Sequence, residues 1–345
     1  MYSRVLQIGT IIIISIVFGL AASYAFAKWT SEPIATYEKG HIIINRDILE
    51  GYYNEFGGLA LVAEASEEGN DLTRANFHST GHSVGEVLYN NEGLGSIATC
   101  GDSFEYGCLH QVIGRAHAEM GDSLVPSLLT RCREYGSATE RAQCEHGLGH
   151  GIMFAGNYDD ANLEKMMQEC DAITTKRPIP KNDSCHAGLM MEYNMHYMTM
   201  EYEGQNGRPA STKEPFAVCD NFSTKDHREI CIWWALPWLH GKLFSYWHNP
   251  PVFKALGTLC ETLGDASLKR TCFQSIGRSN GVNANRPASF TFERCHVATE
   301  NHDLQSACLE QTIRSYISAG DRDEARALCS ISREEYDFPC DSGEN

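Results

Sequence analysis

The sequence is poor in basic residues: 28 Lys and Arg stand against 45 Asp and Glu, a formal net charge of −17. A surface this negative repels phosphate backbones, and no basic stripe relieves it, which argues against a nucleic-acid partner. No Cys-x-x-Cys spacing occurs, so a thiolate zinc site lacks its usual ligand pairs. His-Glu-x-x-His is missing, which leaves a zincin peptidase unsupported, and Cys-x-x-Cys-His is missing, which does the same for covalent haem. Long apolar runs are scarce as well. The one of note, Val5 to Ala27, is broken only by isolated polar residues such as Gln7, Thr10, Ser15 and Ser23, and lies between Arg4 and Lys28.

That run reads as an export signal. Ala25-Phe-Ala27 supplies the small-x-small pattern of a cleavage site, but the run also reaches the ~20 residues that span a bilayer. A cleaved leader and an uncleaved anchor both put the rest of the chain outside the cytoplasm: periplasmic, extracellular or facing outward from a membrane. Membrane contact is expected only through this segment. The expected organisation is a leader or anchor at 1–27, a linker at 28–44, histidine-rich helical hairpins at 45–204 and further cysteine-bearing hairpins at 205–345.

Fourteen cysteines in an exported chain predict a disulfide framework. Their separations alternate. Cys100/Cys108, Cys132/Cys144, Cys170/Cys185, Cys219/Cys231, Cys260/Cys272, Cys295/Cys308 and Cys329/Cys340 lie 8 to 15 residues apart, and the jumps between these pairs are 21 to 34. Seven such pairs leave no cysteine free as a nucleophile. The first cysteines from Cys132 onward recur every 34 to 49 residues, a period typical of helical hairpins. Segments such as Asn162 to Cys170, Pro251 to Cys260 and Asp323 to Cys329 have apolar residues at helical spacing before the first cysteine; we term these the A helices. After the second cysteine a periodic run begins, the B helix, and meets a glycine at Gly121, Gly156, Gly204, Gly241, Gly281 or Gly320. Pairing within each hairpin and pairing between successive hairpins both fit these spacings. An unstapled hairpin precedes the rest, with helix A from about Asp47 to Glu67 and helix B from Leu72 to Asn90, capped by Asp71. Joints are expected at 201–215 and 280–288.

The expected fold is all-α: a right-handed array of antiparallel helical hairpins, α-solenoid or α/α toroid-like, stapled by disulfides. In hairpin period over about 45–340 it resembles tetratricopeptide-type repeats, although the consensus residues of that family are missing. Cys144-Glu-His-Gly-Leu-Gly-His150 resembles a string in uncharacterised exported prokaryotic proteins. That resemblance implies no activity.

Two B helices carry the same motif, His78-Ser-Thr-Gly-His82 and His146-Gly-Leu-Gly-His150. Residues i and i+4 share one helix face, close enough for two imidazoles to hold one ion. Cys108-Leu-His110 and Cys185-His186 put histidines in equivalent first turns. Stacked B helices line one surface, usually the concave one, so these histidines are expected to converge, with Gly81, Gly147 and Gly149 allowing close helix approach. The expected core ligands of a mono- or dinuclear centre are His78, His82, His146 and His150, with His110 and His186 as further candidates, for iron or copper, with zinc as another option. Glu86 and Glu192 are candidate catalytic carboxylates, as ligand, general base or orienting partner. The spacing resembles the histidine boxes of membrane desaturases and hydroxylases in ligand geometry only. Metal-dependent oxidation, zinc-assisted hydrolysis, a metal buffer or carrier without chemistry and a binding scaffold with packed histidines are all open readings, as is a protein or small-molecule ligand on the concave face. Met191, Met195 and Met198 describe either a buried face or a copper-binding stripe. The aromatic run Trp233-Trp234-Ala-Leu-Pro237-Trp238 reads as core, with an apolar groove as the other option and Pro237 expected to kink or end its helix.

Overall fold

A computed structural model of the chain describes residues 46–69, 72, 74–174, 184–198, 215–243, 250–281 and 287–336. The helices, in chain order, are α1 (Arg46–Phe56), α2 (Gly58–Gly69), α3 (Arg74–Glu92), α4 (Ser96–Cys100), α5 (Gly107–Met120), α6 (Val125–Glu134), α7 (Ala138–Ala155) and α8 (Leu163–Ile173). They continue as α9 (Ser184–Met198), α10 (Lys225–Leu243), α11 (Pro250–Glu261), α12 (Ala266–Gly281), α13 (Ala288–Ala298), α14 (His302–Ala319) and α15 (Arg322–Arg333). No strand occurs among the described residues.

The disulfides fall within hairpins. Cys100–Cys108, Cys132–Cys144, Cys170–Cys185, Cys219–Cys231, Cys260–Cys272 and Cys295–Cys308 are each bonded. Each joins the end of an A element to the start of a B helix, closing loops worth roughly 3 kcal/mol apiece by restricting the unfolded chain. The partner expected for Cys329, Cys340, lies outside the described residues, as do 1–27, the Asp71 cap, Gly204 and most of the two expected joints.

The B helices α3, α5, α7, α9, α10, α12 and α14 pack each on the next in chain order, and the A helices flank them. Their sequences fit these places. A helix α15 buries Ala325, Leu328, Cys329 and Ser332, a single stripe at helical spacing. B helix α7 instead buries eight consecutive or near-consecutive residues from Cys144 to Met153, because it has a neighbour on more than one side. Its start is set by a capping box: Ser137 accepts from the Glu140 amide while Glu140 accepts from the Ser137 amide.

Contact between B helices is made backbone to backbone. A Cβ at Gly149 would overlap the Cys185 carbonyl oxygen, one at Gly188 the His146 carbonyl, and one at Gly277 the Cys308 carbonyl. Glycine is therefore required along this seam by proximity.

Four local expectations change. Gly57, at φ +82°, breaks the first A element into α1 and α2 instead of one helix. Helix α10 continues through Pro237, and Gly241 lies inside it. Gly121 and Gly320 end their helices with positive φ as expected, whereas Gly156 is right-handed at φ −76° and the left-handed step falls on Asn157 and Tyr158. The side chains of Met195, His196, Met198 and Trp238 lie outside the described set, while Met190 and Trp233 are buried in the core.

Candidate metal centre

Three consecutive B helices, α3, α5 and α7, bring five of the six predicted histidines into one cluster. His78 and His82 come from α3, His110 from α5, and His146 and His150 from α7. Seven ring pairs have centroids 4.4 to 6.1 Å apart, the closest being His110 and His146. The Nε2 atoms of His78 and His82 are 3.1 Å apart. One nitrogen each from His78, His82 and His110 lies within 4.8 Å of the others, and the same is true of His110, His146 and His150. His82, His110 and His150 are buried; His78 and His146 are half-buried as residues, with the His146 Nε2 atom itself sealed from solvent.

The helical spacing explains half of this arrangement, and the glycines explain the rest. Within each motif the four-residue step aligns two rings on one face. Across helices, Gly81 sits against Phe104 and the Cys108 amide, Gly147 against Ile113 and the His110 backbone, and Gly114 against the His150 and Phe154 side chains. A larger residue at Gly81 or Gly147 would press the helices apart and the rings with them, whereas Gly114 is merely tight.

A set of acceptors fixes the tautomers. His82 donates from Nδ1 to Gln111 Oε1 at 3.2 Å, and Gln111 donates to Glu86 at 2.6 Å. His110 donates from Nε2 to Gln143 Oε1 at 2.8 Å. His150 donates from Nδ1 to Glu192 Oε2 at 2.7 Å, and the Tyr158 hydroxyl donates to the other oxygen of Glu192 at 2.8 Å. Each of these rings is thereby left with its other nitrogen unprotonated, the form common to metal-bound histidines. His110 Nδ1, His146 Nε2 and His150 Nε2 are buried without a hydrogen-bond partner. Buried imidazole nitrogens in this condition are costly unless something accepts their lone pairs.

The electrostatics agree. Burial first, and then repulsion from neighbouring imidazoles, holds His82, His110 and His146 well below the ordinary histidine range. Neutral imidazole is the ligand form.

The two carboxylates lie one and two steps out from the rings. Glu192 holds His150 directly, whereas Glu86 acts through Gln111 and is flanked by Arg46 at 3.7 Å and Arg115 at 3.5 Å. Both occupy orienting positions. His186 belongs to a different group: its Nε2 and that of His227 meet Asp171 Oδ1 at 3.1 and 3.2 Å, and Glu164 lies 3.4 Å from His227 Nδ1. Sequence reasoning missed His227 because it precedes its cysteine, Cys231, by four residues, whereas the other site histidines of cysteine-stapled hairpins follow theirs. It also missed Gln111, Gln143 and Tyr158, whose roles depend on how neighbouring elements meet.

Two strings match catalytic motifs in spacing but not in structural setting. Gly81-His-Ser-Val-Gly85 has the spacing of a nucleophile elbow, but it lies within continuous helix α3 and not on a strand-to-helix turn. Glu293-Arg-Cys-His296 is a Glu-x-x-His on A helix α13 with both its Glu and His exposed, unlike the inward-facing pairs of di-iron bundles, and a second such string, Glu38-Lys-Gly-His41, lies outside the described residues. The chain matches no family model, no curated protein and no solved structure.

Proposed function

We propose that the protein is an exported metalloprotein whose α3, α5 and α7 histidines hold one redox-active transition metal ion, iron or copper, for oxidative chemistry. The observation that carries this reading is the triad His110, His146 and His150, which bring one ring nitrogen each within 4.8 Å of the others, and on these same rings His110 Nδ1, His146 Nε2 and His150 Nε2 are buried with no hydrogen-bond partner. A packed core has no need of three such atoms, but a metal ion accepts all of them.

The two histidine triads share His110, whose Nε2 is engaged by Gln143. One remaining nitrogen serves one ion, which favours a mononuclear site. Five imidazoles exceed the four ligands of a structural zinc ion and suit metals that accept five or six. Neither Glu86 nor Glu192 is placed as a free base for hydrolysis, since each already accepts from a site partner. Iron or copper would supply electron transfer; the chain would contribute a rigid all-nitrogen donor set, a water-poor surround and fixed tautomers. The disulfides support an oxidising compartment.

The test is elemental analysis of the full chain expressed in an oxidising compartment with iron, copper and zinc all supplied, beside a His110→Ala/His146→Ala/His150→Ala variant. About one equivalent of iron or copper, lost in a variant that keeps its helical circular dichroism, is expected. Metal-free wild type would refute the reading and favour a scaffold with packed histidines; stoichiometric zinc would move it to hydrolysis.

A further inference from the structure

A second group of unpaired buried atoms lies on α10 and α12. Helix α12 packs on α10, and the Ser275 hydroxyl donates to the Trp233 carbonyl at 2.7 Å, fixing their register. This lays the Arg278 guanidinium 3.8 Å from the centre of the Trp234 ring and 5.4 Å from that of Trp233. Aromatic faces attract the cation but accept no hydrogen bonds from its edge. Among the described residues Arg278 has no carboxylate partner, its Nη1 is buried without an acceptor, and so is the indole Nε1 of neighbouring Trp233. The site therefore offers two sealed donors and a positive charge with no acceptor, the inverse of the histidine cluster.

Burial alone pushes the Arg278 pKa down to about 10, so the group stays charged at neutral pH.

We propose that Arg278 and Trp233 form the recognition site for the oxyanion group, carboxylate or phosphate, of a small ligand. Arginine presents paired N–H groups in the geometry such oxyanions accept, and Trp234 holds its plane. The inference rests on atoms other than those of the histidine cluster.

Acetate, phosphate and sulfate are titrated calorimetrically into the full disulfide-bonded chain against chloride at constant ionic strength, with wild type, Arg278→Met and Arg278→Lys compared and metal content measured on each. Wild type is expected to bind one equivalent of at least one oxyanion; Arg278→Met loses about 30-fold or more in affinity and Arg278→Lys loses less. Acetate-selective binding would identify a carboxylate ligand, and phosphate-selective binding a phosphoryl one. Without anion, Arg278→Met should unfold about 2 °C or more above wild type, because an uncompensated buried charge has been removed. The proposal is overturned if no probe binds wild type, or if Arg278→Met binds as wild type does and unfolds at lower temperature, which would make the arginine a packing residue. Oxyanion binding in a chain that takes up no metal would sink the histidine reading alone, and a metal-loaded chain that binds no oxyanion would sink only this one.

Discussion

Glu192 shows how far the hydrogen bonding of the histidine cluster extends beyond its rings. It accepts from His150 on one oxygen and from Tyr158 on the other. The tyrosine reaches it from a left-handed backbone position, φ +56°, unusual for a residue with a side chain of that size. Glu192→Ala should weaken metal binding by about 10- to 100-fold in a chelator competition while leaving the helical signal intact, and Glu192→Gln, which still accepts from His150 Nδ1, should recover part of the loss. Equal affinity in all three proteins would remove Glu192 from the site. The buried rings make a second prediction, for the metal-free protein. The folded-state pKa values of His82, His110 and His146 are depressed, so between those values and the unfolded value of about 6.5 the unfolded chain binds more protons. Stability is therefore complete above about pH 6.5 and falls as pH drops below it, by at most about 1.4 kcal/mol per pH unit for each ring. Urea midpoints at successive pH values between 7.5 and 5.5 test this; a flat profile would mean that the rings are not buried as neutral groups. The four-residue histidine spacing was legible from the sequence because it is a property of one helix. Gln111 and Gln143 were not, since glutamines at those places are ordinary until a neighbouring helix brings an imidazole against them.

At the scale of the element, the seam between B helices decides whether the rings meet. Gly149→Ala would place a methyl group on the Cys185 carbonyl and the Leu189 amide, backbone atoms that cannot rotate away. It should destabilise the protein by about 1–3 kcal/mol and reduce bound metal, whereas Gly95→Ala, in open space at φ −60°, should be neutral or stabilising by a few tenths of a kcal/mol. Chemical denaturation of both variants with parallel metal analysis separates the cases; a tolerated Gly149→Ala would show that the seam is looser than the glycines require. The cysteine alternation conveyed the hairpins well, because a disulfide between the end of one helix and the start of the next constrains spacing directly. Failures came at single glycines. Gly57 splits a run whose apolar spacing continues across it, and Gly241, expected to end its B helix, lies inside α10.

For the whole molecule, the order of B helices matters more than any single hairpin. Stacking each on the next places α3, α5 and α7 side by side, so histidines 72 residues apart, His78 and His150, belong to one cluster. That convergence could be anticipated from the repeat. The separation of His186 into a group with Asp171 and His227 could not: α9 lies next to α10 as well as α7, and its first turn meets the residues of that side.

The measurement that bears most directly on the central claim is X-ray absorption at the metal edge of the purified, disulfide-bonded chain. Our account predicts about one iron or copper ion in a shell of nitrogen scatterers with the multiple-scattering signature of several imidazoles, no sulfur, and loss of that signature in the His110→Ala/His146→Ala/His150→Ala variant. Absence of bound metal, or a metal whose shell lacks imidazole or survives unchanged in the variant, would contradict it.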